Sequence, residues 1–312
     1  LQLLNYLYLL LPSPIQKLEN SLLIEKNISL SIKRDDLIHE DISGNKWRKL
    51  KYNLIHALNE KREGIITFGG AFSNHLAATA FACKAAGLKS VGVVRGEDAD
   101  ENNPTLSFCR ENGMIIKKIS REDYKAKEED GFLKLLHHEF ENHFVVPEGG
   151  ANFYGMNGCL EIVKEIEEEF DIISCSCGTG TTLAGIVAGL KEKQKVIGFS
   201  ALKGGEFLQA EIEKHLYYFS FDKEWVNEMK NKFQVETNYH FGGYAKANDE
   251  LFEFINRFQN EFNIPLDPVY TGKMMFGLLD MIRKDYFIPG TKIIAVHTGG
   301  LQGWGGMRAA TL

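Results

Sequence analysis

Residues 171–185 read DIISCSCGTGTTLAG: an apolar, strand-like run breaks into Gly-Thr-Gly-Thr-Thr and resumes as a helix of small residues. A strand-to-helix junction of this kind leaves backbone N–H groups free at the helix start, and its glycines let a ligand approach the chain. The spacing is wrong for a dinucleotide. Gly178 and Gly180 are followed by Leu183, with glycine only at 185, and the next strand-like run (195–200) carries no acidic residue at its end for a ribose. No Gly-Lys-Ser/Thr nucleotide loop follows either. What remains is a cup of N–H groups with the hydroxyls of Thr179, Thr181 and Thr182, suited to one phosphate monoester. A bulky residue at Gly180 is expected to push a side chain into that phosphate position.

Outward from this junction, short β-branched or apolar runs at 64–68, 90–95, 114–119, 171–177, 195–200 and 292–297 alternate with helix-like segments at 46–62, 74–86, 104–112, 155–169, 181–193, 248–262 and 270–284. Such alternation predicts an α/β fold with mostly parallel sheets covered by helices. The punctuation agrees: Asn103-Pro104 starts one helix, Gly113 ends it, and Gly87 closes the helix before. Residues 22–33 read as a β-hairpin around Lys26-Asn27, and the acidic run 165–169 as the solvated side of a helix. The strands fall into two clusters, which predicts two lobes with a ligand in the cleft outside the carboxyl ends of the strands.

The chain has 312 residues, of which 44 % are hydrophobic and 25 % charged, and its net charge is −6. That length suits about two domains and a large core without disulfide or metal staples. The charge argues against nucleic acid as the main partner. Five cysteines without a C-x-x-C pair argue against a zinc site or a secreted disulfide framework, so a cytoplasmic location is expected. Cys175 and Cys177 should share one face of their strand. The apolar segment 1–11 lacks a basic lead and a cleavage site and is too short to span a bilayer. It is expected to be buried or to face another subunit, and no membrane role is expected. Residues 138–143, HEFENH, are one residue too long for the H-E-x-x-H zinc helix, and no G-x-S-x-G elbow is present.

Other clusters carry chemistry-bearing residues. SGNKWRKL (43–50) crowds Lys46, Arg48, Lys49 and Lys51 at a helix start, where the dipole disfavours cations. A solvated basic face is the plain alternative, but the Gly44-Asn45 turn delivers Lys46 where a residue projects into a cleft. GGAFSNH (69–75) is a second glycine-rich strand-to-helix turn, in which Ser73, Asn74 and His75 either cap the helix or meet an anion. DPVYTGK (267–273) is expected to begin a helix at Asp267-Pro268 and to present Tyr270 and Thr271 at its mouth. HTGG (297–300) ends the last strand.

A phosphate cup, a turn-borne lysine and a two-lobed α/β body together suggest pyridoxal phosphate, which needs a Schiff-base lysine, a phosphate anchor and a partner for its ring nitrogen. The sequence resembles the 1-aminocyclopropane-1-carboxylate (ACC) deaminase/D-cysteine desulfhydrase family of tryptophan-synthase-β-like, fold type II pyridoxal phosphate enzymes. The resemblance is carried by RDD (34–36), SGNKWRKL, GGAFSNH, PEGGAN (147–152), GTGTTLAG (178–185), GGY (242–244), DPVYTGK and HTGG, in family order from residue 34 to 300. It implies that Lys46 bonds the cofactor, that Asn74 meets its phenolic oxygen, and that residues 178–182 hold its phosphate. It implies that Ser73, with Asn74 and His75, meets the substrate carboxylate or that Ser73 acts as a nucleophile. Tyr244 and Tyr270 match the family's two active-site tyrosines, with Tyr270 beside the cofactor ring. The resemblance also implies a homodimer, with a small domain of 49–153 set into a large cofactor-binding domain of 1–48 and 154–312.

Family deaminases carry Glu after the DPVY tyrosine and Leu before the last glycine pair; here these are Thr271 and Thr298. A carboxylate at the ring nitrogen would keep it protonated, whereas threonine leaves a weaker electron sink. That favours β-elimination from a small D-amino acid, such as D-cysteine to pyruvate, ammonia and sulfide. Ring opening of ACC through Ser73 is the alternative, and a non-catalytic pyridoxal phosphate-binding protein is the alternative of another class.

Overall fold

The computed structural model describes residues 8–100, 102–301 and 304. Its first half runs β1 (Ile15–Leu18), α1 (Ser21–Glu25), β2 (Ser29–Lys33), α2 (Asn45–Asn59), β3 (Gly64–Gly70), α3 (Asn74–Ala85), β4 (Lys89–Arg95), α4 (Pro104–Glu111), β5 (Met114–Ile119), α5 (Asp130–Glu139) and β6 (His143–Val145). The second half runs α6 (Phe153–Lys164), β7 (Ile172–Cys177), α7 (Thr181–Gly189), β8 (Lys195–Ser200), α8 (Leu208–Ser220), α9 (Lys223–Met229), β9 (Phe233–Glu236), α10 (Asp249–Phe262), α11 (Thr271–Arg283) and β10 (Lys292–Val296).

Two sheets result. One is a parallel four-stranded sheet in the order β5-β4-β3-β6. The other is six-stranded, β1-β2-β10-β7-β8-β9, and only its β1–β2 pair is antiparallel. Strands covered on both faces must be apolar on both, which is why runs such as GIITF do not alternate with polar residues. Ile65 packs with Trp47, Leu54 and Ala82 on one side of its sheet. Its neighbours Ile66 and Phe68 pack with Tyr124 and Leu136 on the other. In the larger sheet, Cys175 and Cys177 do share a face, which meets Met156 and Ile186.

The structure corrects several readings. Residues 22–33 are not a hairpin. The Asn20 side chain accepts the Leu23 N–H and nucleates α1, Asn27 ends that helix region at φ +53°, and the strand after it pairs with β1. The acidic run 165–169 lies beyond the end of α6; Glu167, Glu168 and Glu169 are exposed as expected, but Glu165 is partly buried and accepts from the buried Lys33 and Arg48. Asp267-Pro268 precedes its helix, which starts at Thr271. The segments read as 46–62, 155–169 and 181–193 are shorter, ending at Asn59, Lys164 and Gly189. Strands β1, β6 and β9 and helices α5, α8 and α9 had no counterpart among the expected elements. Residues 1–7 of the apolar segment lie outside the described residues, while Leu9 and Leu11 pack against the Trp47–Leu50 core. Among the described residues no helix is long and apolar enough to cross a membrane.

The topology points both sheets at one place. The carboxyl ends of β3, β4, β7 and β10 lead into residues 71–75, 96, 178–180 and 297–300, and parallel strands bind ligands at that end.

Candidate active site

A cavity of about 680 Å³ opens at these strand ends. Its wall includes Lys46, Lys49, Ser73, Asn74, Gly178, Thr179, Tyr244, Tyr270 and Thr298.

Lys46 reaches it from the first turn of α2. Gly44, at φ +65°, caps that helix so tightly against the last strand that a Cβ there would lie 2.0 Å from the Thr298 carbonyl oxygen. The Asn45 N–H donates to the same carbonyl, and the Asn45 side chain donates to Thr182 Oγ1 at 3.1 Å. Farther along the helix Arg48 is fully buried and donates to Asp35 and Glu165. The turn and the ion pair fix α2, and Lys46 Nζ donates to Asn45 Oδ1 at 2.9 Å. Burial first, and then the nearby Lys49 ammonium, push the Lys46 amine down to about 7. An amine half neutral at that pH can attack a carbonyl or take a proton.

Lys49 is one turn on, on the same face of α2. The sequence shows it as one of four crowded cations; in the fold it lies under the cup, 3.4 Å from Thr179 Oγ1. Burial lowers its pKa. Removing its charge should favour the protonated form of Lys46. The Lys49→Met variant is therefore expected to show a higher pH midpoint for pyridoxal phosphate incorporation than the parent. A midpoint that stays or falls would contradict the coupling.

In the cup itself, Thr179 Oγ1 and Thr181 Oγ1 are 3.0 Å apart. Thr181 turns from the cavity toward His215 Nε2 at 3.3 Å, so its side chain is a brace and not part of the lining. Helix α7 has no side-chain N-cap, which leaves its first N–H groups available to an anion. The expectation for Gly180 needs a new reason. A Cβ there would meet Ile212 Cγ1 of α8 at 3.0 Å, and the residue sits at φ +76°. Gly180→Val should thus loosen cofactor retention by distorting the 178–182 backbone, not by filling the phosphate position. Cofactor absorbance that survives gel filtration undiminished in this variant would contradict that.

At the start of α3, Ser73 Oγ accepts the Leu76 N–H at 3.3 Å, so this residue caps the helix and also faces the cavity. Asn74 Oδ1 is buried without a partner. His75 borders the cavity, but its Nε2 is engaged with Thr67 Oγ1 at 2.9 Å. Burial and the two lysines keep the ring neutral, and Nδ1 has no partner.

The aromatic wall is a pair. The rings of Tyr244 and Tyr270 meet edge-on with centroids 6.1 Å apart. Tyr270 packs over the cup, since a Cβ on Gly178 would lie 3.4 Å from its ring. Burial and the Tyr244 hydroxyl raise Tyr270 well above the ordinary phenol value, so it stays protonated. Tyr244 rides on a loop with Gly242 and Gly243 at φ +93° and +120°, tied down by the buried Lys273, whose Nζ donates to Gly243 O at 2.7 Å.

Thr271 is not where the sequence reading put it. It is fully buried, absent from the lining, and its hydroxyl donates to Asp267 Oδ2 at 2.6 Å. The Asp267 carboxylate also accepts the backbone N–H groups of Val269, Tyr270 and Thr271, capping α11. Thr298 does line the cavity, with its Oγ1 3.0 Å from Ser176 Oγ.

The family pattern described as pyridoxal-phosphate dependent enzyme matches residues 7–299. A Pyrococcus horikoshii protein with a provisional name as an ACC deaminase is 35 % identical, over 93 % of this chain and 90 % of its own.

The chain belongs to the ACC deaminase/D-cysteine desulfhydrase family of pyridoxal phosphate-dependent enzymes.

Another family member, the Arabidopsis thaliana bifunctional D-cysteine desulfhydrase/ACC deaminase of mitochondria, is 33 % identical over 94 % of this chain and 77 % of its own. A crystal structure described as an ACC deaminase homologue superposes with a TM-score of 0.81 at 31 % identity, covering 100 % of this chain and 98 % of the other. The fold is accordingly tryptophan-synthase-β-like. The residues that line this cavity fit the family's cofactor. A lysine that can lose its proton near neutral pH suits the aldehyde, and an uncapped helix start beside the buried Lys49 suits the phosphate. Among the described residues, no group of three or more His, Cys, Asp or Glu side chains could hold a metal ion.

Proposed function

We propose that the chain catalyses β-elimination from a small D-amino acid, converting D-cysteine and water to pyruvate, ammonia and hydrogen sulfide. Bound pyridoxal phosphate supplies the electron sink that acidifies the substrate's α-proton. Lys46 holds the cofactor, and its amine, with a pKa near 7, takes the α-proton once displaced by substrate. Lys49, Thr179, Thr182 and the N–H groups of 178–182 hold the phosphate. Ser73 and Asn74 receive the substrate carboxylate at the start of α3. Tyr270 carries the proton for the departing sulfur, its phenol kept neutral by burial beside Tyr244.

The observation that carries this reading over ring opening is the fate of Asp267. The carboxylate beside the site is consumed by four hydrogen bonds from residues 269–271. Near the end of β10 the lining offers neutral hydroxyls: Ser176 and Thr298, bonded to each other, and Ser43 beside Gly299. A ring nitrogen held against these hydroxyls would gain no fixed charge, which suits loss of a good β-leaving group better than opening a cyclopropane with no α-proton. Keto-acid release from D-cysteine, β-chloro-D-alanine, their L-isomers and ACC tests the reading. Pyruvate from the D-isomers and little from ACC is expected. Faster turnover of ACC would overturn it in favour of the deaminase reaction at Ser73. Absence of turnover from every compound would favour a protein that only binds the cofactor.

A further inference from the structure

One cation in the cavity wall has no task in this scheme. Arg95 closes β4, in register with Gly70 at the end of β3, and the chain after Gly70 is the turn that presents Ser73 and Asn74. Its guanidinium carbon lies 5.7 Å from the centroid of the buried Tyr124 ring. Lys127 Nζ lies 5.1 Å from the same ring and is paired with Glu148 at 3.5 Å. Two cations thus share one aromatic ring, and Lys127 takes the carboxylate. Arg95 is the one left over: among the described residues it makes no ion pair or hydrogen bond. The other carboxylate of the lining, Asp41, is not joined to it.

A guanidinium stacked on an aromatic ring is fixed in orientation and keeps its edge for a bidentate oxyanion. Facing a concave pocket, it concentrates anions there. The cofactor's phosphate already has Lys49 and the cup, and the substrate's α-carboxylate has the start of α3. We propose that Arg95 recruits an oxyanion on the β-substituent of the substrate. The preferred class is then D-amino acids whose leaving group is itself an anionic ester, with O-phospho-D-serine the simplest example. The proposal rests on the β-elimination reading. In the reaction, the α-proton passes to the Lys46 amine, and the Cβ–O bond breaks with its electron pair leaving on phosphate. Water then replaces nitrogen, giving pyruvate, ammonia and inorganic phosphate without any oxidant or reductant.

The test compares O-phospho-D-serine with β-chloro-D-alanine on the holoenzyme and its Arg95→Gln and Arg95→Lys variants. In Arg95→Gln, the ratio of kcat/KM for the phosphate ester over the chloride should fall at least roughly tenfold, the scale of a lost charge-assisted contact. Arg95→Lys should restore part of it, as a point charge without the fork. An unchanged ratio overturns the proposal, whether both substrates suffer equally or neither does. If the parent turns over neither compound, the elimination reading has failed. Titration of the cofactor's visible absorbance with O-phospho-D-serine then decides on Arg95 alone. Binding at least roughly tenfold weaker in Arg95→Gln supports it, and equal or absent binding overturns it.

Discussion

Lys46→Ala is expected to abolish keto-acid release from β-chloro-D-alanine, with a loss of at least roughly 10²–10⁴-fold from the missing base alone. The lysine is in place before any ligand arrives. Gly44 is wedged against the Thr298 carbonyl, Asn45 is bonded on both sides, and Arg48 locks the next turn, so the first turn of α2 is fixed where it presents Lys46 to the cavity. No neighbour can stand in. Lys49 is held at Thr179, and Lys273 is bonded to Gly243 behind the Tyr244 loop. Turnover within tenfold of the parent, measured by coupled pyruvate assay, would show that another group moves the proton.

The largest stability effect is expected at Arg48. Its side chain, with no exposed surface, donates two bonds to Asp35, at 3.0 and 3.1 Å, and two more to Glu165. Arg48→Met leaves Asp35 buried with only Ser13 Oγ at 2.5 Å and Lys33 Nζ at 4.0 Å. Breaking a buried pair from one side costs about 3–5 kcal/mol, because the remaining charge stays out of water. Urea unfolding should register that loss, and a change below about 1 kcal/mol would mean that the network contributes little. Since Arg48 and Lys46 share α2, weakened cofactor retention should accompany the loss.

What the sequence reveals depends on how local the physics is. Strands β3, β4, β5, β7, β8 and β10 are visible because each is a run of apolar or β-branched residues between glycines and caps. The Asn103 cap, which accepts from Thr105 and Leu106, and the positive-φ Gly87 and Gly113 behave as their residue types require. The segment 22–33 misleads because Asn at positive φ serves a hairpin turn and a helix end equally well. Strand β6 is three residues long, and its pairing with β3 is a tertiary fact.

The same division holds at the site. The turn before Lys46 and the Gly-Thr cup are short motifs whose geometry follows from their residues. Lys49 looks like one more surface cation until α2 packs on α6 and brings its Nζ to Thr179. Thr271 is misplaced for the opposite reason: sequence adjacency to Tyr270 says nothing about the direction of its hydroxyl, which the buried Asp267 carboxylate decides four residues earlier. Arg95 is silent in the sequence, because an arginine ending a strand carries no local signal. Only the register with Gly70 and the Tyr124 ring give it meaning.

The central claim is that Lys46 is the residue through which this chain uses pyridoxal phosphate. Borohydride reduction of the cofactor-loaded protein, followed by proteolysis and mass spectrometry, tests it directly. The pyridoxyl group should be found on Lys46, within the sequence SGNKWRKL. A label on Lys49, Lys51 or Lys273, with Lys46 unmodified, would contradict it.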